Sequence, residues 1–84
     1  MSCWCTTLRA GDGVRLGDEL LALEMIEAEL SLWRWRGQLV ALAVPGMVRL
    51  GDALVEGKVV KEGAQGRRLT VCVDALEEMK LERV

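Results

Sequence analysis

Histidine, phenylalanine and tyrosine are absent from this 84-residue chain, proline occurs once, and the only aromatic side chains are three tryptophans. Without histidine, nucleophilic catalysis of the Ser–His or Cys–His kind has no base. Neither G-x-x-x-x-G-K-[ST] nor G-x-G-x-x-G occurs, so no phosphate-cradling glycine loop is present, and Gly11-Asp12-Gly13 by itself marks a turn. Carboxylates are plentiful enough that some pairing is inevitable, yet a chain this short is poorly suited to enclosing a catalytic pocket. The sequence reads as a non-enzyme. The longest strongly apolar stretch, Leu39 to Val44, is far below the roughly 18 residues of a membrane span. The opening residues MSCWCTTLRAG lack the basic region and apolar core of a secretory signal. A cytoplasmic chain, or one assembled from cytoplasmic subunits, is the expectation.

Charge is equally sparse as a signal. Eleven basic and thirteen acidic residues run along the whole chain and leave a formal net charge of -2. That balance provides no global field to attract nucleic acid or anionic lipid, and any such role would need a local patch. Hydrophobic residues make up 51% of the chain, but the core has to be built from Leu, Val, Ala and Met around the tryptophans. A domain of this size buries only roughly two thirds of its unfolded surface, so a single domain is expected, with oligomerisation helping to stabilise it.

Three cysteines are an odd number, and Cys3 and Cys5 stand too close in sequence for an easy bond between them. Free thiols in a reducing compartment are expected. A metal site of Cys3, Cys5 and Cys72 is the alternative, but C-x-C plus one distant cysteine without histidine is a poor zinc pattern, and no metal is predicted.

The most informative feature is an internal repeat. VRLGD at 14–18 recurs at 48–52, and the match extends over about 8–24 and 42–58, through Leu8/Leu42, Val14/Val48, Gly17/Gly51 and Leu20/Leu54. Two copies are too few for a solenoid, so a β fold with two related halves is the natural reading. Glu27 to Leu32 alternates polar and apolar residues as a half-buried strand should. Trp33-Arg34-Trp35-Arg36 then reverses the phase, which predicts a bulge or twist near Leu32. Gly37 ends that strand, Leu39 to Val44 reads as a strand covered on both faces, and Pro45-Gly46 is the clearest turn. Arg68 to Val73 reads as a further strand, following a hairpin tip at Gly63-Ala64-Gln65-Gly66. Two segments carry helical signals. Asp18 to Leu30 is rich in helix formers behind a capping Asp18, and competes with the strand reading there. Asp74 with Glu77 resembles a capping box before Leu76 and Met79, predicting a short C-terminal helix.

Trp33, Arg34, Trp35 and Arg36 form the sharpest local constellation. Tryptophan and arginine are enriched among interface hot spots, so the indoles would anchor a partner protein and the arginines would orient it. The same residues suit stacking on unpaired bases with arginines on phosphates. Against both stands a plain alternative, in which the indoles close a core short of aromatics and the arginines form its solvated face. Arg67 and Arg68, beside the hairpin tip, would touch an acidic patch or phosphate, or simply be solvated.

Residues 51–75, GDALVEGKVVKEGAQGRRLTVCVDA, preceded by GDGV and Gly37, resemble small bacteriophage capsid decoration (cement) proteins. That resemblance implies an all-β module that sits on a virion, often as an oligomer. GDGVRLGDELLALE at 11–24 also looks like the first half of a biotinyl or lipoyl carrier domain, whose hairpin bears a modified lysine. Here that position is Glu27, so the resemblance implies a scaffold without a cofactor. TLRAGDGVRLGDEL at 7–20 is similar to the start of the carbon-storage-regulator family of dimeric RNA-binding proteins, which implies an RNA-binding regulator as a third reading.

Together these expectations describe one mainly β domain over residues 1–84, a small barrel or sandwich of two related halves with a short C-terminal helix. It would act as a homo-oligomeric assembly module in the cytoplasm or on a virion, partnered by its own copies or a larger protein assembly. Neither a nucleic-acid partner nor a membrane is expected.

Overall fold

The computed structural model describes residues 2–76 and 79–84. Its nine strands are β1 (Ser2–Leu8), β2 (Gly13–Leu16), β3 (Glu19–Ile26), β4 (Leu30–Trp35), β5 (Gln38–Ala43), β6 (Gly46–Leu50), β7 (Ala53–Gly63), β8 (Gly66–Ala75) and β9 (Leu81–Arg83). They form two antiparallel sheets, one ordered β1-β8-β7-β6 and the other β5-β4-β3-β2-β9. The mainly β expectation holds, as an open two-sheet arrangement and not a closed barrel. The chain crosses between sheets three times, after β1, β5 and β8.

The sequence repeat is one hairpin built twice, once in each sheet. Leu16 pairs with Glu19 around Gly17-Asp18, and Leu50 pairs with Ala53 around Gly51-Asp52. Gly17 and Gly51 have φ of 64° and 60°. This is the left-handed region that glycine enters without a Cβ penalty, and a glycine in the first of two turn positions is the type II′ pattern that suits twisted hairpins. Val14 and Leu16 face the core from one sheet, and Val48 and Leu50 face it from the other.

The expected C-terminal helix is not present among the described residues, and of the two readings of Asp18 to Leu30 the strand is the one realised. Asp18 to Leu30 is mostly β3, committed to a strand by the tight Gly17-Asp18 turn before it. Its alternation is hidden because the register slips between Leu23 and Met25, so Leu21 and Leu23 share the buried side with Ile26 instead of residue 25. The capping-box reading fails because Asp74 lies within β8, paired with Cys3, while Glu77 is outside the described residues. Beyond it, Leu81–Arg83 is the edge strand β9, in which Leu81 pairs with Leu16 and packs against the core. That strand gives β2 a second hydrogen-bonded neighbour, which a helix could not provide. Among the described residues no helix is long and apolar enough to cross a membrane.

The core lies between the sheets. Leu21, Leu23 and Trp33 meet Val55, Leu69 and Val71 there, all of them at most 1% exposed. One covalent bond reinforces the first sheet: Cys5 and Cys72 are direct cross-strand partners on β1 and β8 and form a disulfide. The expectation of free thiols is therefore corrected for these two residues, because strand pairing brings their Cα atoms to 4.0 Å despite 67 residues of sequence separation. Only Cys3 remains a thiol, exposed at a small hollow beside Met47 and Leu54. Among the described residues no group of three or more His, Cys, Asp or Glu is placed to hold a metal ion.

Candidate functional site

Strand β4 carries the Trp-Arg constellation, and its facing decides what each residue does. Ser31, Trp33 and Trp35 alternate onto the core side, with Trp33 1% and Trp35 8% exposed. The assignment of both indoles as surface anchors is thereby corrected. Trp33 is central to the core, and its Nε1 donates to the Ser31 hydroxyl at 2.9 Å, which satisfies the one polar atom of a buried indole.

The bulge expected near Leu32 is found on the neighbouring strand, between Leu23 and Met25 of β3 opposite Trp33 and Leu32, while β4 itself keeps one phase and pairs with β5 without interruption from Leu30↔Ala43 to Trp35↔Gln38. Two large indoles outweigh two leucines in choosing the buried side, because apolar burial scales with area. Ser31 is carried inward with the tryptophans, and Leu30 and Leu32 are left outside.

The arginines flank this strand in ordered positions. Arg36 forms two hydrogen bonds to Glu19, at 2.5 and 2.7 Å, and its guanidinium lies 5.0 Å from the Trp35 ring centroid. The hydrogen bonds from Arg36 hold the Glu19 carboxyl below its ordinary value, and those same contacts raise the Arg36 pKa. Arg34 binds Glu24 at 3.2 Å and the Gly37 carbonyl at 3.3 Å. Both arginines are exposed, but their forks are occupied within the chain.

Arg67 is also consumed internally. It donates to Glu62 at 2.6 Å, to Glu27 at 3.0 Å and to the Ile26 carbonyl at 3.2 Å, and the hydrogen bonds to Glu62 and then Glu27 raise its pKa. It clasps the β7–β8 hairpin of one sheet to the β3–β4 connection of the other. Arg68 points the opposite way, into an open cleft with Arg9 and Arg83. The six residues singled out from the sequence therefore do not form one surface.

A different surface emerges on the outer side of β3, β4 and β5. Met25 pairs with Leu32, Leu32 with Ala41, and Leu30 with Ala43, while Leu39 lies beside Arg34. Leu39 is 56% exposed, and Met25, Leu30, Ala41 and Ala43 are exposed as well. The apolar run at 39–44 is thus covered on one face only, contrary to the two-sided burial expected of it, because β5 is the last strand of its sheet.

β5 is also open along its edge. The Arg36-Gly37 turn has φ of 49° and 78°, the type I′ pattern, in which the flanking Trp35 and Gln38 form a hydrogen-bonded pair. Alternation then directs the backbone groups of Gln38, Val40 and Leu42 toward β4, and those of Leu39, Ala41 and Ala43 away from it. The outward alternation of Leu30, Leu32 and Leu39 was readable in the sequence only once the tryptophans were known to face inward. No family model, curated protein or solved structure matches this chain.

Proposed function

We propose that this chain is a non-catalytic assembly module that joins a second copy of itself through the open edge of β5 and the apolar outer face of β3–β5. One observation carries the reading: Met25, Leu30, Leu32, Leu39, Ala41 and Ala43 form a register-adjacent apolar face that ends in an unpaired strand edge. Proteins that stay monomeric blunt such edges with lysine, proline, inward charge or a bulge. β5, with the sequence QLVALA, contains none of the first three and pairs without a register shift.

The geometry suits a second copy in particular. Two β5 edges meeting antiparallel about a two-fold axis place Ala41 opposite Ala41 and Leu39 opposite Ala43, using the outward-directed backbone groups of both strands. Such contact is isologous and closes after two subunits. A small side chain falls at the crowded axis and the larger leucines fall beside it. The Arg34–Glu24 pair near Leu39 supplies a polar rim. The resemblance to capsid decoration proteins gives this assembly its setting, as a subunit that stabilises a virion shell.

Sedimentation equilibrium and native mass spectrometry of wild type and Ala41→Lys test the reading. A wild-type dimer that becomes monomeric in Ala41→Lys, with the thermal midpoint of the monomer retained, is expected. A wild type that stays monomeric at every concentration overturns it, as does a dimer unaffected by lysine at position 41. RNA carried through purification in stoichiometric amount would move the assignment to a nucleic-acid-binding regulator.

A further inference from the structure

A concavity of about 340 Å³ lies where the end of β1 and the start of β8 meet the β2–β9 edge, and it is lined by Thr7, Arg9, Asp12, Arg68 and Arg83. Three guanidiniums share this cleft with one carboxylate. Asp12 is already engaged, since its Oδ2 accepts from the Arg9 backbone N–H at 2.9 Å and from the Arg83 side chain at 3.2 Å. That carboxylate fixes the turn and orients Arg83 while neutralising only one of the three cations.

Arg9 and Arg68 are left together on the cleft wall. The β1–β8 ladder ends at Leu8↔Leu69; Arg9 follows Leu8 and Arg68 precedes Leu69, so both lie at the Thr7–Thr70 end of that ladder, where Arg68 also has Lys61 as its partner on β7. Neither makes an ion pair among the described residues. Like charges gathered in one cleft repel. An anion placed between them converts that repulsion into two attractions.

We propose that this cleft is a binding site for a phosphoryl group. The guanidinium fork matches phosphate oxygens with paired N–H donors, and a dianion balances the two unneutralised arginines where a single carboxylate would leave an excess of charge. The hydroxyls of Thr7 and Thr70, 3.3 Å apart, add a neutral donor at the Thr7 wall. β1 and β9 lie at the opposite ends of their sheets from β6 and β5, so the cleft is separate from the β5 edge and would remain open in the dimer.

Calorimetric titration and NMR of the arginine Nε–H resonances, at fixed ionic strength and neutral pH, test the site with inorganic phosphate, with a nucleoside 5′-monophosphate, and with acetate and chloride as controls. Saturable binding of phosphate at one site per chain is expected, with shifts at Arg9, Arg68 and Arg83. Arg68→Gln should weaken it at least tenfold, and Arg49→Gln, on the exposed outer face of β6, should leave it unchanged. Tighter binding of the nucleotide identifies a phosphate ester as the natural source, and equal binding identifies the free ion. The proposal is overturned if phosphate uptake is non-saturable, if acetate or chloride competes equally, or if folded Arg68→Gln and Arg9→Gln both bind as wild type.

Discussion

The buried hydroxyl of Ser31 stands between two partners, accepting from Trp33 Nε1 at 2.9 Å and donating to the Leu42 carbonyl at 3.0 Å. A serine of 0% exposure thus lets an indole enter the core with its N–H satisfied, and ties β4 to β5 in the register that directs both tryptophans inward. Ser31→Ala removes the acceptor while keeping the volume nearly constant. The orphaned N–H should cost about 1–3 kcal/mol in chemical denaturation. Trp33→Ala should cost about 3–5 kcal/mol, a large share of a domain's ordinary stability of about 5–15 kcal/mol, seen as a much lower unfolding midpoint by circular dichroism.

The two turns of the repeat should respond alike. Gly17→Ala and Gly51→Ala each force a Cβ into positive φ, at an expected cost of about 1–2 kcal/mol. Because the turns lie in different sheets, the losses should add in the double variant, within about 0.5 kcal/mol. A much larger loss at Gly51 would reveal dependence on its neighbours Trp35 and Arg36, whose nearest atoms would stand 3.6 Å from the new Cβ.

Reduction should loosen the whole domain. The Cys5–Cys72 bond spans 67 residues of sequence, and a loop of that length removes on the order of 4 kcal/mol of chain entropy from the unfolded state. Unfolding by urea with and without dithiothreitol should show a lower midpoint under reduction. The Cys5→Ser, Cys72→Ser double variant should match the reduced protein and be indifferent to the reagent. Equal midpoints for all of these would mean that the bond does not constrain the unfolded chain.

Acid should weaken the contact that braces Trp35. Hydrogen bonding from Arg36, followed by its charge, depresses the folded-state pKa of Glu19 below 4.5. A group with a depressed folded pKa contributes its stability fully above the unfolded value and loses it as pH falls through the folded one. The wild type should therefore lose stability on acidification below about pH 4.5, and Glu19→Gln should remove part of that slope. Added salt should shrink the difference between the two proteins, since the pair is solvent-exposed.

How far the sequence could be read follows from these particular residues. The repeat announced its own structure, because Gly-Asp between alternating Val-x-Leu and its partner is a local signal that needs no tertiary information. Ser31 had to be misread, since a polar residue among leucines belongs outside until a buried indole demands its oxygen. Leu30 and Leu32 were placed on the wrong side for the same reason, and with them the apolar outer face was missed. Cys5 and Cys72 could not be paired from the sequence, because only the β1–β8 ladder brings them together. Arg9, Arg68 and Arg83 come from three separate elements, and their spacing along the chain gives no hint that they share a cleft.

The bond between β1 and β8 also determines how this protein bears a mechanical load. Tension applied to the chain on either side of the ring it closes is carried across by the Cys5–Cys72 bond, so the 67-residue span between them is shielded from the pull. Only chain outside that ring can extend, at no more than ~3.6 Å per residue. The part that yields is the C-terminal tail, held by the three-residue edge strand β9. Its release takes Arg83 away from Asp12 and opens one wall of the arginine cleft while the other eight strands stay paired. Under load, therefore, the edge strand would part from β2 before any strand inside the disulfide ring could lengthen.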